Sequence, residues 1–312
     1  MELIGCGCSD NIQNTGNSTQ KLFKLTTGKY WTPAINSDGE RNSLDLTLTP
    51  TALKDELILR INEPDPTKRF YPILGITNVL PEETDATYAT SDTNERTKLF
   101  EGIKTVNFQF RDASNQYFAK LQNVCVDFTE FSIDACGSIL GQKEGTKLYG
   151  RPVNQASYDA KFMERTASET SMISVQYDYA RQSSDANQWM VTASELDGFD
   201  ANTFSGLVSG EVLVGPISTT SIVVNVHKDF GTAVTKQPLL GLQPSDVVLT
   251  NTTTSAVVAV SAVTPDATVK GRYELTIASQ TASDNGTIKI FKPSATGMVA
   301  GFESNLETLI FA

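Results

Sequence analysis

From residue 207 onward, short apolar runs alternate with turn-forming residues, and that rhythm leaves little room for anything but a small all-β module. The runs are 212–214, 221–226, 247–249, 257–263, 273–277, 287–291 and 306–311. Between them fall Gly215-Pro216, Gly231, Pro244, Pro265-Asp266, Asp284-Asn285-Gly286 and Gly297. Seven short strands punctuated in this way form the immunoglobulin-like pattern. The expectation is a C-terminal immunoglobulin-like β-sandwich over residues 206–312, appended to a larger assembly domain over residues 1–205. Modules of this kind decorate assembled or displayed proteins more often than they catalyse.

Charge divides along the same line. The 312 residues carry a net charge of −11, of which −9 lies in residues 1–205 and −2 in residues 206–312. So acidic a chain repels phosphates, which argues against gripping nucleic acid but not against letting DNA pass. Apolar residues make up 39% of the chain, enough at this length to bury a core in each of two domains. No stretch approaches the roughly 20 apolar residues of a membrane span. Cys6, Cys8, Asp10, Asn11 and Asn14 interrupt any secretory signal, so a cytoplasmic product is expected and the sequons at Asn17, Asn251 and Asn285 count as accidental.

The first domain reads as mainly β, an antiparallel sandwich or barrel with one flanking helix. Residues 30–35 and 43–48 flank Asn36-Ser37-Asp38-Gly39, a hairpin loop ending in Asp-Gly. Thr49 and Pro50 then suit a helix start, and Leu53, Leu57, Ile58 and Ile61 share one face. Strands are expected at 103–110, at 124–133 with a bulge, at 158–162 and at 173–179. A short helix is expected at 115–122, and Asp134 to Gly137 makes a turn. Residues 78–102 are polar and read as a long loop, a kind of excursion that is usually functional. Residues 181–206 read as a polar linker.

Few constellations could carry chemistry. Cys6-Gly7-Cys8 with Cys125 and Cys136 supplies four thiols, yet one intervening residue is tighter than usual zinc spacing. Reduced, partly buried cysteines are the plainer expectation, with a Cys125–Cys136 bridge as the alternative. His227, the only histidine, sits at a strand end in the terminal module, where a surface role is expected rather than that of a catalytic base. The acidic pairs Glu82-Glu83, Asp55-Glu56 and Asp197/Asp200 fall on polar segments, where solvated charge outweighs a glycosidase pair. Tyr71, Tyr177 and Tyr179 read as strand packing rather than a sugar platform. There is no phosphate-cradling glycine loop. Neither cofactor, metal nor enzymatic activity is expected.

A series of short blocks does carry information in its order. Gly5-Cys6-Gly7-Cys8 and Asn14-Thr15-Gly16 come first, followed by Trp31-Thr32-Pro33-Ala34 and Asn36-Ser37-Asp38-Gly39-Glu40-Arg41-Asn42-Ser43. Asp65-Pro66-Thr67-Lys68-Arg69-Phe70-Tyr71-Pro72 follows the helix, then Ile76-Thr77-Asn78-Val79. Ile133-Asp134-Ala135-Cys136-Gly137-Ser138-Ile139-Leu140-Gly141 and residues 171–179 close the series. In this order the first two thirds of the chain resemble the tail tube (major tail) proteins of phages and prophages of Bacteroidota.

The resemblance implies a subunit whose strands join those of its neighbours into a hexameric ring with a continuous β-barrel wall. Rings stack through long loops and N-terminal arms, and immunoglobulin-like modules project outward. Its partners would be further copies of itself, other virion tail proteins, and DNA passing through without specific binding. It would be assembled in a host cytoplasm and would reside in the virion tail. The candidate contacts between subunits are Glu82, Glu83, Asp85, Asp92, Glu95 and Arg96. Two alternatives stand beside this: a capsid or capsid-decoration protein with tandem β domains, and a carbohydrate-binding adhesin making weak glycan contacts through residues 207–312.

Overall fold

The computed structural model describes residues 25–83, 87–90, 92, 95–100, 104–110, 127–153, 159–166, 169–176, 187–228, 236–294, 296 and 299–312. The chain is mainly β and separates into two compact units, Met1–Thr203 and Phe204–Ala312, where the sequence suggested a boundary near Ser205-Gly206.

The first unit begins with β1 (Thr26–Pro33), β2 (Ser43–Asp45), helix α1 (Pro50–Ile61), β3 (Tyr71–Leu74) and β4 (Ile76–Glu83). Next come β5 (Thr87–Thr90), β6 (Arg96–Phe100), β7 (Lys104–Phe110), β8 (Phe128–Asp134) and β9 (Ile139–Glu144). The unit ends with β10 (Lys147–Tyr149), β11 (Arg151–Val153), β12 (Asp159–Thr166), β13 (Glu169–Gln176) and β14 (Gln188–Val191). The main sheet has the order β2-β10-β9-β8-β1-β3, with β11 added to β8 and β14 to β9. A second sheet runs β12-β13-β7-β4, and β5 and β6 form a ribbon of their own.

The centre of the main sheet is β8, buried at all seven positions. Its Phe131 and Ile133 share a face with Tyr30 of β1, and Phe70 stacks on Phe131 at 5.2 Å between ring centroids. The helix contributes Leu53, Leu57 and Ile61, each worth about 1.5–3 kcal/mol when removed from water. It lies against β2 and the 3₁₀ turn Ala193–Leu196. Thr49 does not cap it through its hydroxyl; its carbonyl accepts the Leu53 N–H at 2.8 Å, and Pro50 occupies the position where a missing N–H costs nothing.

The sheet also curls on itself. β9 pairs with both β8 and β10, while β11, which continues β10 past Gly150, pairs back onto β8. Three strands that pair mutually need close backbone approach at the corner, and two glycines allow it. A Cβ at Gly141 would lie 2.6 Å from the Tyr149 carbonyl oxygen, and one at Gly150 would lie 2.9 Å from the Glu130 nitrogen.

Several expectations require correction. The hairpin across residues 36–39 shrinks to a single bridge, Ile35 to Arg41, because β1 pairs with β3 and β8 while β2 pairs with β10. The described residues of 78–102 are mostly strand rather than loop: β4 is laddered to β7, and β5 to β6. Within the expected linker, β14 and two 3₁₀ turns appear. The alternation on β7 breaks at Asn107, which is buried alongside Val106 and Phe108. The bulge inferred from a change of phase near Phe131 is instead burial of both faces of β8. The helix expected at 115–122 lies outside the described residues.

The second unit consists of β15 (Leu207–Ile217), β16 (Ser221–Lys228), β17 (Val247–Asn251), β18 (Ala256–Val257), β19 (Val260–Pro265), β20 (Arg272–Ile277), β21 (Asn285–Lys292), β22 (Gly301–Ser304) and β23 (Glu307–Ile310). Its sheet path is β18-β17-β21-β22-β15-β16-β20-β19, with β23 on β21, folded over one core. Strict alternation on β16 and β20 sends Ile222, Val224, Val226, Tyr273, Leu275 and Ile277 inward. β22 pairs in parallel with β15 and had no apolar run to announce it. Phe302 seats this strand against Gly210, where an added Cβ would fall 2.0 Å from the ring.

Gly150→Ala is expected to open the corner of the first unit and to lower stability by about 1–3 kcal/mol, the usual cost of overpacking. Urea denaturation followed by tryptophan fluorescence measures this; an unchanged midpoint would show that the corner closes without the glycine.

Candidate functional site

Of the six acidic and basic residues singled out from the sequence, Glu82 and Glu83 end a sheet strand, and Asp92, Glu95 and Arg96 belong to a β-arm formed by β5 and β6. Glu82 and Glu83 lie on β4, opposite Thr105 and Lys104 of β7. Asp92 is exposed in the turn between β5 and β6, and Glu95 is exposed just before β6. Arg96 opens β6, with its guanidinium 6.0 Å from the Tyr88 ring centroid on β5. Asp85 lies outside the described residues. All four residues of β5 are exposed, and Tyr88 (51%), Leu99 (53%) and Leu80 (41%) present apolar surface to water. A two-stranded ribbon of this kind is marginal alone, because neither face is covered and both edges offer unpaired main-chain groups.

A second feature, not foreseen from the sequence, lies beneath the arm's root. Lys29 of β1 meets Glu130 of β8 at 2.6 Å, with side-chain exposures of 4% and 0%. The Lys29 ammonium also sits 4.3 Å from the ring centroid of Phe108, on β7 of the second sheet, so the two sheets of this unit meet over a buried ion pair. Burial pushes the Lys29 amine down to about 8; the Glu130 carboxylate offsets this in part, and the Arg151 charge adds to it. Arg151 in turn donates to the Ser132 hydroxyl at 2.8 Å. A lysine with a lowered pKa can act as a nucleophile, but this one is 3% exposed and packed under an aromatic ring, so its role is structural.

Two of the sequence blocks come together in a lock between loops. The Ser37 hydroxyl donates to Asp65 at 2.6 Å, the Thr67 hydroxyl and N–H donate to the same carboxylate, and Lys68 pairs with Asp38 at 2.6 Å. These hydroxyl and amide donors hold the Asp65 carboxyl down at about 2. The Asp134 turn is built similarly: its carboxylate accepts the N–H groups of Cys136 and Ser138, while Asn202 donates to its carbonyl. A shallow recess of about 340 Å³ beside it is lined by Thr27, Leu74, Gly75, Ile76, Ala135, Asp200 and Asn202, with a single carboxylate.

The remaining candidates are dispersed. Cys136 is buried, whereas Cys6, Cys8 and Cys125 lie outside the described residues. His227 is half-buried on β16 and bridged to Pro238. Asp197 pairs with Lys54, Glu56 accepts the Asp45 N–H and pairs with Arg60, and Asp55 faces solvent. Tyr71 donates to the Pro66 carbonyl and meets Phe128 edge-on; Tyr177 and Tyr179 lie outside the described residues. Among the described residues no group of three metal-binding side chains gathers, and no helix is long and apolar enough to cross a membrane. Tyr273, Phe302 and Phe311 of the second unit are buried. No family model, curated protein or solved structure matches the chain.

Lys29→Met removes the ammonium that meets the buried Glu130 carboxylate and is expected to cost about 3–5 kcal/mol, whereas adding Glu130→Leu should restore most of the loss. Equal destabilisation in the single and double variants, measured by chemical denaturation, would contradict this. Asp65 has its folded pKa depressed from 3.8 to about 2, so the stability it contributes is present above pH 3.8 and is lost as the pH falls through 2. The thermal midpoint of Asp65→Asn should therefore fall less steeply than that of the wild type between these values; parallel curves from calorimetry would exclude the link.

Proposed function

We propose that the protein is a phage tail tube subunit, which polymerises through its β-arm and free sheet edges into stacked rings that conduct DNA. The exposed ribbon of β5 and β6 is the observation that carries this. All four residues of β5 and Arg96, Thr97 and Leu99 of β6 are exposed, and among them Tyr88 and Leu99 are apolar. Such a ribbon gains order by lying across a neighbour. Free edges at β3, β4 and β12 among the described strands give neighbouring copies places to extend the sheets. Closing a sheet between copies removes those edges, and a ring repeats one contact around an axis.

The net charge of −11 supports a conduit rather than a nucleic-acid-binding protein, since an acidic wall does not hold phosphates. A glycan-binding adhesin is less well supported: among the described residues of the second unit Tyr273, Phe302 and Phe311 are buried and Phe291 is half-buried, which leaves no fully exposed ring to stack on a sugar.

The test uses the register of β4 and β7. Glu83 and Lys104 are paired, so joining them through an Asn-Gly turn removes the arm while keeping that ladder. The wild type is expected to form rings or hollow cylinders in negative-stain electron microscopy. The shortened protein should remain folded by circular dichroism but fail to stack. Cylinders from the shortened protein would refute the role of the arm, and a wild type that stays monomeric at high concentration would refute the tube.

A further inference from the structure

The second unit breaks the inside-out rule of a sandwich on one face. On β17, β21 and β23 the inward positions Leu249, Ile288, Ile290 and Leu309 are buried, as they should be. The outward positions of an antiparallel sandwich ordinarily carry polar groups. Here the outer face of the β18-β17-β21-β23 layer carries Val257, Val248 and Ile310 at 81%, 46% and 60% exposure, with Leu306 (62%) leading into it. Between them, one row crosses all four strands in register: Val257 opposite Thr250, Thr250 opposite Thr287, and Thr287 opposite Thr308. The one charge facing outward within these strands is Lys289, which is neutralised by Glu303 at 2.6 Å. Residues 247–265, which supply β17, β18 and β19, contain no charged side chain.

We propose that this face is a weak contact between the second units of neighbouring copies in the polymer, and the inference rests on that polymer. Charge selects a second copy as the occupant. The second unit carries only −2 of the chain's −11, and on this face Lys289 is neutralised by Glu303, so two copies can meet there without like-charge repulsion while the first units, at −9 each, repel. A flat layer of valine, isoleucine and threonine is also self-complementary, since methyl groups pack on methyl groups and the hydroxyls of the threonine row can pair with one another across the contact.

Area then sets the strength. Four strands about 4.8 Å apart, averaging about five residues each at roughly 3.3 Å, give on the order of 300 Å² per copy. Two such faces bury about 600 Å², well short of the ~1,200 Å² of stable standard-sized interfaces. The contact therefore cannot hold free copies together. It adds to copies already tethered by another interface, where the effective concentration is high.

The test places a photo-crosslinking benzoylphenylalanine at Val257 in the full chain and polymerises a mixture of ¹⁵N-labelled and unlabelled protein. Irradiated rings or cylinders should yield labelled–unlabelled adducts mapping to residues 247–310 of the second copy. Val248→Lys with Ile310→Lys should reduce their yield about tenfold, a modest difference in contact energy, while far-ultraviolet circular dichroism and the thermal midpoint stay unchanged. Polymers that yield no such adducts, or adducts only within one chain, overturn the inference and leave the tube standing. Absence of any polymer removes the tube and this contact together. Binding of the wild type, but not the lysine variant, to phosphatidylcholine vesicles without inter-copy adducts would reassign the face to a lipid surface and overturn it as well.

Discussion

A carboxylate and an ammonium buried between two sheets impose demands on everything around them. Glu130 and Lys29 lie on neighbouring strands at the centre of the first unit, and neither charge is tolerable there without the other. Their alignment depends on the register of β1 and β8, which sets Trp31 opposite Glu130 and Lys29 opposite Ser132. A slip of one residue between β1 and β8 would put the two charges on opposite faces, moving Lys29 among Phe131 and Ile133. The pair thus ties strand register to the joint with β7, where Phe108 covers the ammonium. The second sheet, from which the arm extends, is positioned on that joint.

The two units solve the problem of strand edges differently. In the first, the curl at Gly141 and Gly150 consumes several edges by letting β8, β9 and the β10–β11 run pair with one another. The arm remains as a ribbon with β5 exposed at all four positions. In the second, β18 and β19 end the sheet path, and the adjoining outer face is aliphatic rather than charged. Charge is the common device for keeping β-proteins apart, and on the outer face of this layer it is limited to Lys289, which Glu303 neutralises. The proposed polymer gives both exposed features the same explanation, the arm as a strong contact and the face as a weak one.

Patterns with one wet face and one dry face were readable in advance. α1 appeared because Leu53, Leu57 and Ile61 repeat at helical spacing behind Thr49-Pro50, and β16 and β20 because their apolar residues alternate. Elements whose faces are alike were not. β5 and β6 are wet on both sides and looked like a loop, although Thr87, Tyr88, Thr90 and Thr97 are strand formers that hinted otherwise. β8 is dry on both sides, so its mixture of Phe, Thr, Glu, Ser and Asp read as a change of phase. β22 is held by a parallel neighbour nearly a hundred residues away, a relation with no local trace.

The sequence by itself determined the mainly-β class, the position of the helix, the seven runs of the terminal module and the acidic charge, because each depends on local periodicity or composition. Only the tertiary structure decided that Lys29 and Glu130 meet, that the 36–39 and 65–68 loops lock through Ser37, Asp65 and Thr67, and that four aliphatic side chains of the second unit share an outer face. Each of these joins residues distant in sequence, and a distance in space follows from strand order and register, which no window of neighbouring residues contains.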